Sequence, residues 1–300
     1  MKVRIIRGMT TSRTVRFSCV AILLGLLASV PSALVAQAPA REPITVLSFN
    51  IRYGTAKDGE NEWTLRRPML FDLLREQDAD LIGLQEALDF QIDEIVAAVP
   101  GYATVGVGRD DGRARGEFAA ILFRKSRFRV AEAGTFWLSD TPAVPGSKTW
   151  GNNITRICTW TRLIDRDGRG FFVYNVHLDH QSQPSRERST QLLRERIDAR
   201  STAGDPVLVT GDFNVGEKNP ALATLLGPFV DTFRVVRPQE KPAGTFTAFK
   251  FGNVEGEKID YILTQPGTEV MHADIVRFTR NQRYPSDHFP VVARIRFVER

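Results

Sequence analysis

The sequence predicts a single α+β domain built on two packed, mixed β-sheets. Short apolar runs near Phe118, Phe128 and Ile154 follow one another with no helix between them, the pattern of antiparallel neighbours. Other runs are separated by amphipathic stretches, the pattern of crossover connections. From Ile44 onward no long linker, low-complexity tract or obvious repeat intervenes, so one domain over residues 44–300 is expected.

The elements follow in order. Residues 44–50 (ITVLSFN) read as a strand, and residues 66–76 as a helix with Leu70, Leu73 and Leu74 on one face. Residues 81–85 (LIGLQ) form a short buried strand, and a helix over 89–98 stops before Pro100-Gly101. Further strands are expected at 118–123, 156–162 and 170–176, and a strongly charged helix at 185–200. Residues 206–210, 259–264 and 291–298 complete the sheet candidates.

The N-terminus is read apart from this domain. Lys2, Arg4, Arg7, Arg13 and Arg16 precede an apolar run over residues 20–28 that is too short to span a bilayer. Ala36-Gln37-Ala38 offers a small-residue cleavage site, so residues 1–38 read as a signal peptide. The protein is therefore expected to be periplasmic or secreted, with no stable membrane insertion, and a monomer. Residues 1–40 hold five of the 40 basic residues and none of the 35 acidic ones. Without them the formal net charge falls from +5 to zero. A balanced chain has no global field for polyanions, which disfavours nucleic acid without excluding a local basic groove. Only Cys158 remains after cleavage, so no intrachain disulfide is available. It sits in a strand-like alternation and reads as a packed core thiol.

Polar residues recur where apolar runs end, and strand ends aimed at one point are how such folds assemble active sites. Asn50 and Glu86 close the first two runs. Glu86 supplies the hard oxygen that magnesium or manganese prefers, although it could equally cap the following helix. Three of the four histidines, His177, His180 and His288, fall in these clusters. After the apolar run 206–210, Asp212 and Asn214 follow Gly211 at period two, a base or ligand beside a neutral amide. Asx turns would explain the same pair. Asp260 is a charge in an apolar strand, costly unless partnered, and Glu117 precedes another such strand. These two are candidates for orienting histidines. Ser286-Asp287-His288 puts a metal-capable carboxylate beside a proton donor. Together the residues imply a metal-dependent phosphoesterase. Arg156 is a candidate phosphate contact, with Trp150 beside it. The loops at 109–115, 136–142 and 150–153 have compositions suited to substrate binding.

The set resembles the endonuclease/exonuclease/phosphatase superfamily, the DNase I-like enzymes, from about Val46 to Arg296. The resemblance rests on Ser48-Phe49-Asn50, Leu84-Gln85-Glu86, Asn175-Val176-His177-Leu178, Gly211-Asp212-Phe213-Asn214, Ile259-Asp260-Tyr261 and Ser286-Asp287-His288-Phe289-Pro290, in family order. The stretches Leu178-Asp179-His180 and 245–249 look closest to the deadenylase-like bacterial branch. The resemblance implies a four-layer αββα sandwich with the site at one end of the sheets. It implies Glu86 as the main metal ligand, for Mg2+ or Mn2+, with Asn50 and Asp287 contributing. Asp212 would activate water for in-line attack on a phosphodiester or phosphomonoester, and Asn214 would hold the phosphate. His288 would be oriented by Asp260, and His177 by Glu117. The substrate remains an unidentified phosphoester. An extracellular nuclease is the alternative, and an inactive binding module on the same scaffold the remote one.

Overall fold

Alternation along the strands decides the layering. The computed structural model describes residues 40–298, so the predicted signal peptide lies outside the described residues. Among the described residues there are twelve strands: β1 (Ile44–Asn50), β2 (Leu81–Ala87), β3 (Tyr102–Val105), β4 (Phe118–Arg124), β5 (Arg129–Trp137), β6 (Ile157–Ile164), β7 (Gly170–His177), β8 (Val207–Asp212), β9 (Val230–Asp231), β10 (Asp260–Thr264), β11 (Glu269–Ile275) and β12 (Val291–Arg296). They form two six-stranded sheets, ordered β11-β12-β1-β2-β4-β3 and β5-β6-β7-β8-β10-β9. β1 with β2 and β7 with β8 are parallel pairs, and every other ladder is antiparallel. Both sheets are thus mixed, as the direct strand-to-strand connections and the helical crossovers predict.

Helices α1 (Trp63–Gln77) and α2 (Asp89–Ala98) cover the first sheet; α3 (Gln183–Asp198) and α4 (Pro220–Leu226) cover the second, and α5 (Thr232–Val236) follows β9. On β1, Leu47 and Phe49 face α1 and α2, packing with Leu70, Leu73, Leu74, Ile92 and Ile95. Val46 faces the other way, into a core shared with Leu81, Ile121, Phe171, Val173, Leu208 and Ile262 from both sheets. On β7, Phe172 and Tyr174 face Leu193 and Ile197 of α3. Each strand therefore divides by parity between an outer helix and the opposite sheet, and the four layers run α, β, β, α.

Sequence periodicity missed the half-exposed edge strands. β11 exposes Glu269, Met271 and His272 and interrupts its apolar residues with polar ones, and β9 is two residues long, so neither carries a two-sided apolar signature. Residues 136–138, read as a substrate loop, end β5 and enter the core. Trp137 is buried, and its indole N–H donates to the Arg109 carbonyl at 2.6 Å.

Along the inward-facing positions the layer between the sheets changes from apolar to polar in one direction. After Val46, Val173 and Leu208 come Ser48, Asn175 and Thr210, all buried. Asn175 donates through Nδ2 to the carbonyls of Leu84 at 2.8 Å and Ala120 at 2.9 Å, crossing from the second sheet to the first. Its Oδ1 accepts from Gln85 Nε2 at 2.7 Å and Thr210 Oγ1 at 3.0 Å. Gly83 makes room for this network, because a Cβ there would lie 2.3 Å from Thr210 Oγ1.

The network sets a stability prediction. Asn175→Ala removes the acceptor of Gln85 and Thr210, whose remaining acceptors are farther, and the side-chain donors of the Leu84 and Ala120 carbonyls, which should cost about 2–4 kcal/mol. Urea unfolding should show a lower midpoint with an unchanged slope; a midpoint equal to the parent's would overturn the role.

Candidate active site

The polar gradient ends in a cavity of about 470 Å3 at the C-terminal ends of β1, β2, β7 and β8. Glu86, Glu117, Arg156, His177, Asp212, Asn214, Asp287 and His288 line it, together with Arg52, Tyr53, Arg109, His180 and Phe246. Asn50 and Asp260 stand directly behind this lining, hydrogen bonded to Asp212 and His288 respectively. The structure thus brings together ten of the eleven site residues predicted from sequence, Trp150 being the exception.

Asp212 is at the centre. Its residue is 1% exposed, and Oδ2 accepts from Asn50 Nδ2 at 2.9 Å while Oδ1 accepts from the Asn214 backbone N–H at 2.9 Å. His177 Nε2 and His288 Nε2 lie 3.5 Å and 3.8 Å from the same Oδ2. Antiparallel register sets Asp260 opposite Asp212 on β10. Burial, followed by the Asp260 charge, pushes the Asp212 carboxyl well above the usual range. Such a group is a better base than an ordinary aspartate.

The two histidines differ in charge. Burial, then Arg156 and Arg109, holds His177 well below its ordinary pKa, so it is neutral. Burial also disfavours charge on His288, but Asp260 and Asp212 outweigh it and hold the ring well above the ordinary value. Nδ1 of His288 sits 2.9 Å from Asp260 Oδ2, the predicted dyad.

The second predicted dyad is not formed. Both Glu117 oxygens accept from Arg109, at 2.6 and 2.7 Å, and no hydrogen bond joins Glu117 to His177. Burial pushes the Glu117 carboxyl up, yet the paired contacts need both oxygens as acceptors, which holds it as a carboxylate. A guanidinium wins over an imidazole because it matches a carboxylate at two points. Arg156 instead attends His177. Its Nη1 is within hydrogen-bond distance of both ring nitrogens, at 3.0 Å from each.

Asn50 stands between two carboxylates. Its amide nitrogen, which has no free lone pair, faces Glu86 Oε1 at 3.1 Å as well as Asp212, while its oxygen accepts from the Arg52 N–H. It bridges the two carboxylates, and its oxygen keeps a second lone pair beside them. Asn214 makes the Asx turn and lines the cavity as well. One amide hydrogen goes to the Leu178 carbonyl at 3.0 Å, leaving the other free.

Trp150 does not line the cavity. Its indole N–H donates to Asp140 Oδ1 at 2.7 Å, a surface pairing that composition could not foretell. Arg52 and Tyr53 follow Asn50 after Ile51 and went unread, because nothing in their pattern distinguishes them from a solvated turn.

The donor set suits a hard divalent cation. Glu86 and Asp287 put oxygens on one wall. The β2–β4 pairing shifts register between Leu84 and Ala87, and Glu86 adopts φ +59°, a bulge that turns its carboxylate out of the ladder. Arg52 and Asn214, also on the wall, share left-handed φ values of +56° and +50°. Such conformations persist only where surrounding contacts fix them, and they concentrate at functional sites. Burial pushes the Asp287 carboxyl up; its neighbours are the Ser286 hydroxyl at 3.2 Å and Arg52 Nε at 4.0 Å. It is a buried acid with His288, Arg52 and Arg66 as its positive neighbours, whose pull burial and Glu86 outweigh. Among the described residues, Glu86, Glu117 and His177 also place one potential ligand atom each within 4.8 Å of one another.

Comparison with known proteins agrees with this geometry. The profile of the Endonuclease/Exonuclease/phosphatase family matches residues 47–288. A family protein from Bacteroides thetaiotaomicron superposes with TM-score 0.79 at 32% identity, over 86% of this chain and 98% of that one. A mannosyl-6-phosphatase from the same species gives TM-score 0.77 at 33% identity, over 85% and 100%. An uncharacterised mimivirus protein is 27% identical over 183 residues, 58% of this chain and 68% of its own length. By its sandwich, its strand-end residues and these matches, the chain belongs to the endonuclease/exonuclease/phosphatase family, whose members hydrolyse phosphoester bonds.

Proposed function

We propose that the chain is a divalent-metal-dependent phosphoesterase that hydrolyses a small phosphoester by in-line attack of water, with Asp212 as the base. One observation carries this reading: a raised, buried Asp212 flanked by a neutral His177 and a protonated His288 in one cavity. Asp212 accepts the proton of the attacking water. His288, held charged by Asp260, donates to a phosphoryl or leaving oxygen. His177 and the second amide hydrogen of Asn214 add neutral donors to the non-bridging oxygens. No covalent enzyme intermediate is needed. Glu86 and Asp287 would hold magnesium or manganese, which supplies neutralisation of charge on the phosphoryl group and the leaving oxygen.

The cavity's volume matches a small-molecule site. The mannosyl-6-phosphatase similarity, spanning that whole protein, favours a sugar phosphate. The zero net charge of residues 41–300 argues against a polymeric polyanion. Residues 1–38, read as a signal peptide, add export to the proposal.

The deciding assay is a substrate panel with and without EDTA: sugar phosphates, inositol phosphates, p-nitrophenyl phosphate, its bis-ester, sphingomyelin and nucleic acids. Hydrolysis of a small phosphoester should stop with EDTA and return with magnesium or manganese; full activity in EDTA would sink the metal requirement. Glu86→Ala, Asp212→Asn and His288→Ala should each lower kcat/KM by about 10^3-fold or more in proteins with near-parental circular dichroism. Most activity surviving in any one of them would defeat its assigned role. Asp260→Asn should lose about 10^2–10^4-fold in kcat with a smaller change in KM, because it removes the charge that keeps His288 protonated. A pure KM effect would contradict that.

A further inference from the structure

Arg156 makes a second contact that the hydrolytic mechanism does not use. Its Nη2 lies 2.9 Å from Nδ1 of His180, and an arginine only donates. Nδ1 of His180 must therefore be the acceptor nitrogen, which puts the ring proton on Nε2. Burial and the Arg156 charge also hold His180 below its ordinary pKa, in agreement with a neutral ring. His180 lines the cavity, and among the described residues its Nε2 makes no hydrogen bond.

The backbone under this ring is fixed. Asp179, 1% exposed, accepts from the N–H groups of Gln181 at 2.9 Å and Ser182 at 2.6 Å. Ser182 caps α3 by accepting from the Ser185 N–H at 3.2 Å. Arg186 of that helix donates back to the Asp179 carbonyl at 2.8 Å. Asp179 Oδ2 also lies 3.7 Å from Arg156 Nε. The residue carrying the free donor and the arginine that orients it are thus locked to one helix start.

Contacts run in a chain from Asp212 to His177, Arg156 and His180. A phosphoryl group seated at Asp212 meets, along this chain and beyond the donor assigned to His177, the Nε2–H of His180, which no protein group claims among the described residues. A phosphomonoester has three terminal oxygens and two negative charges; a diester has two such oxygens and one charge. In a diester the additional donor faces an esterified oxygen, a poor acceptor that carries a substituent. We propose that His180 is a specificity-determining residue that donates its Nε2–H to a terminal phosphoryl oxygen, so that the site prefers phosphomonoesters, with Arg156 fixing the donating tautomer. The inference rests on the phosphoesterase function above and adds the ester class.

The test compares p-nitrophenyl phosphate with bis-p-nitrophenyl phosphate for the parent, His180→Ala and His180→Gln. Glutamine places an N–H near the imidazole Nε2 and serves as the conservative rescue. The parent should favour the monoester. His180→Ala should lose about 10–100-fold in kcat/KM on the monoester and under threefold on the diester, and His180→Gln should recover most of the loss. Inhibition by inorganic phosphate should weaken in parallel. An equal loss on both esters, no loss with alanine, no recovery with glutamine, or a parent that prefers the diester would each overturn the proposal while leaving the hydrolase intact. A parent inactive on every ester of the panel with metal present would instead defeat the underlying function.

Discussion

The structure depends on satisfying one buried charge, the Asp212 carboxylate. A carboxylate taken out of water is tolerated only when donors surround it. Asn50 on β1 and the Asn214 backbone after β8 donate to it, and His177 on β7 and the charged His288 just before β12 stand 3.5 and 3.8 Å from its Oδ2; these four neighbours surround the charge in chain order Asn50, His177, Asn214, His288. The first and last belong to one sheet and the other two to its partner. The charge is therefore compensated only when both sheets are packed in the correct register, so catalytic geometry and sandwich assembly are a single requirement.

The layer between the sheets meets that requirement in steps. Apolar inward positions fill the middle, where they exclude water and fix the separation of the sheets. Asn175 comes next and ties β7 to β2 and β4 through backbone carbonyls, whose positions do not depend on a rotamer. The ionisable residues come last, one step from solvent. Arg66 secures the loops outside them. Buried on α1, it donates to the carbonyls of Ile51, Arg52, Asn61 and Pro285, the segments that carry the residues around Arg52 and Asp287.

What the sequence shows of this follows from what is local in it. Strand alternation and polar residues at strand ends are period-two patterns, so β1, β2, β7, β8 and β10 and the residues Glu86, His177, Asp212 and His288 were legible. Arg66 was not: in sequence it is one charge opening an amphipathic helix, and its four partners are carbonyls that carry no side-chain signature. The Glu117–Arg109 clamp was hidden for a related reason. Arg109 sits in a charged loop that resembles a solvated hairpin, and Trp137, bonded to its carbonyl, together with the Glu117 carbonyl, bonded to its N–H, holds it at the cavity. Trp150 shows the opposite error. Its sequence neighbours suggest a substrate loop, while its indole is spent on Asp140 at the surface. The bulge at Glu86 is likewise a property of the β2–β4 pairing and not of LQEA as a string.

His177 and His288 are equally buried, flank the same oxygen of Asp212, and titrate in opposite directions. Burial acts alike on both, so the difference lies in their neighbours: Arg156 and Arg109 beside one, Asp260 and Asp212 beside the other. Had Glu117 paired with His177, both rings would carry charge, and Asp212 would be held as a weak base between two cations. Arg109 prevents this by taking both Glu117 oxygens. The clamp thus acts on the base at one remove: it occupies both Glu117 oxygens although they lie close to His177, and that ring, buried beside Arg156 and Arg109, stays neutral, so Asp212 faces one charged imidazole and not two and can accept a proton from water.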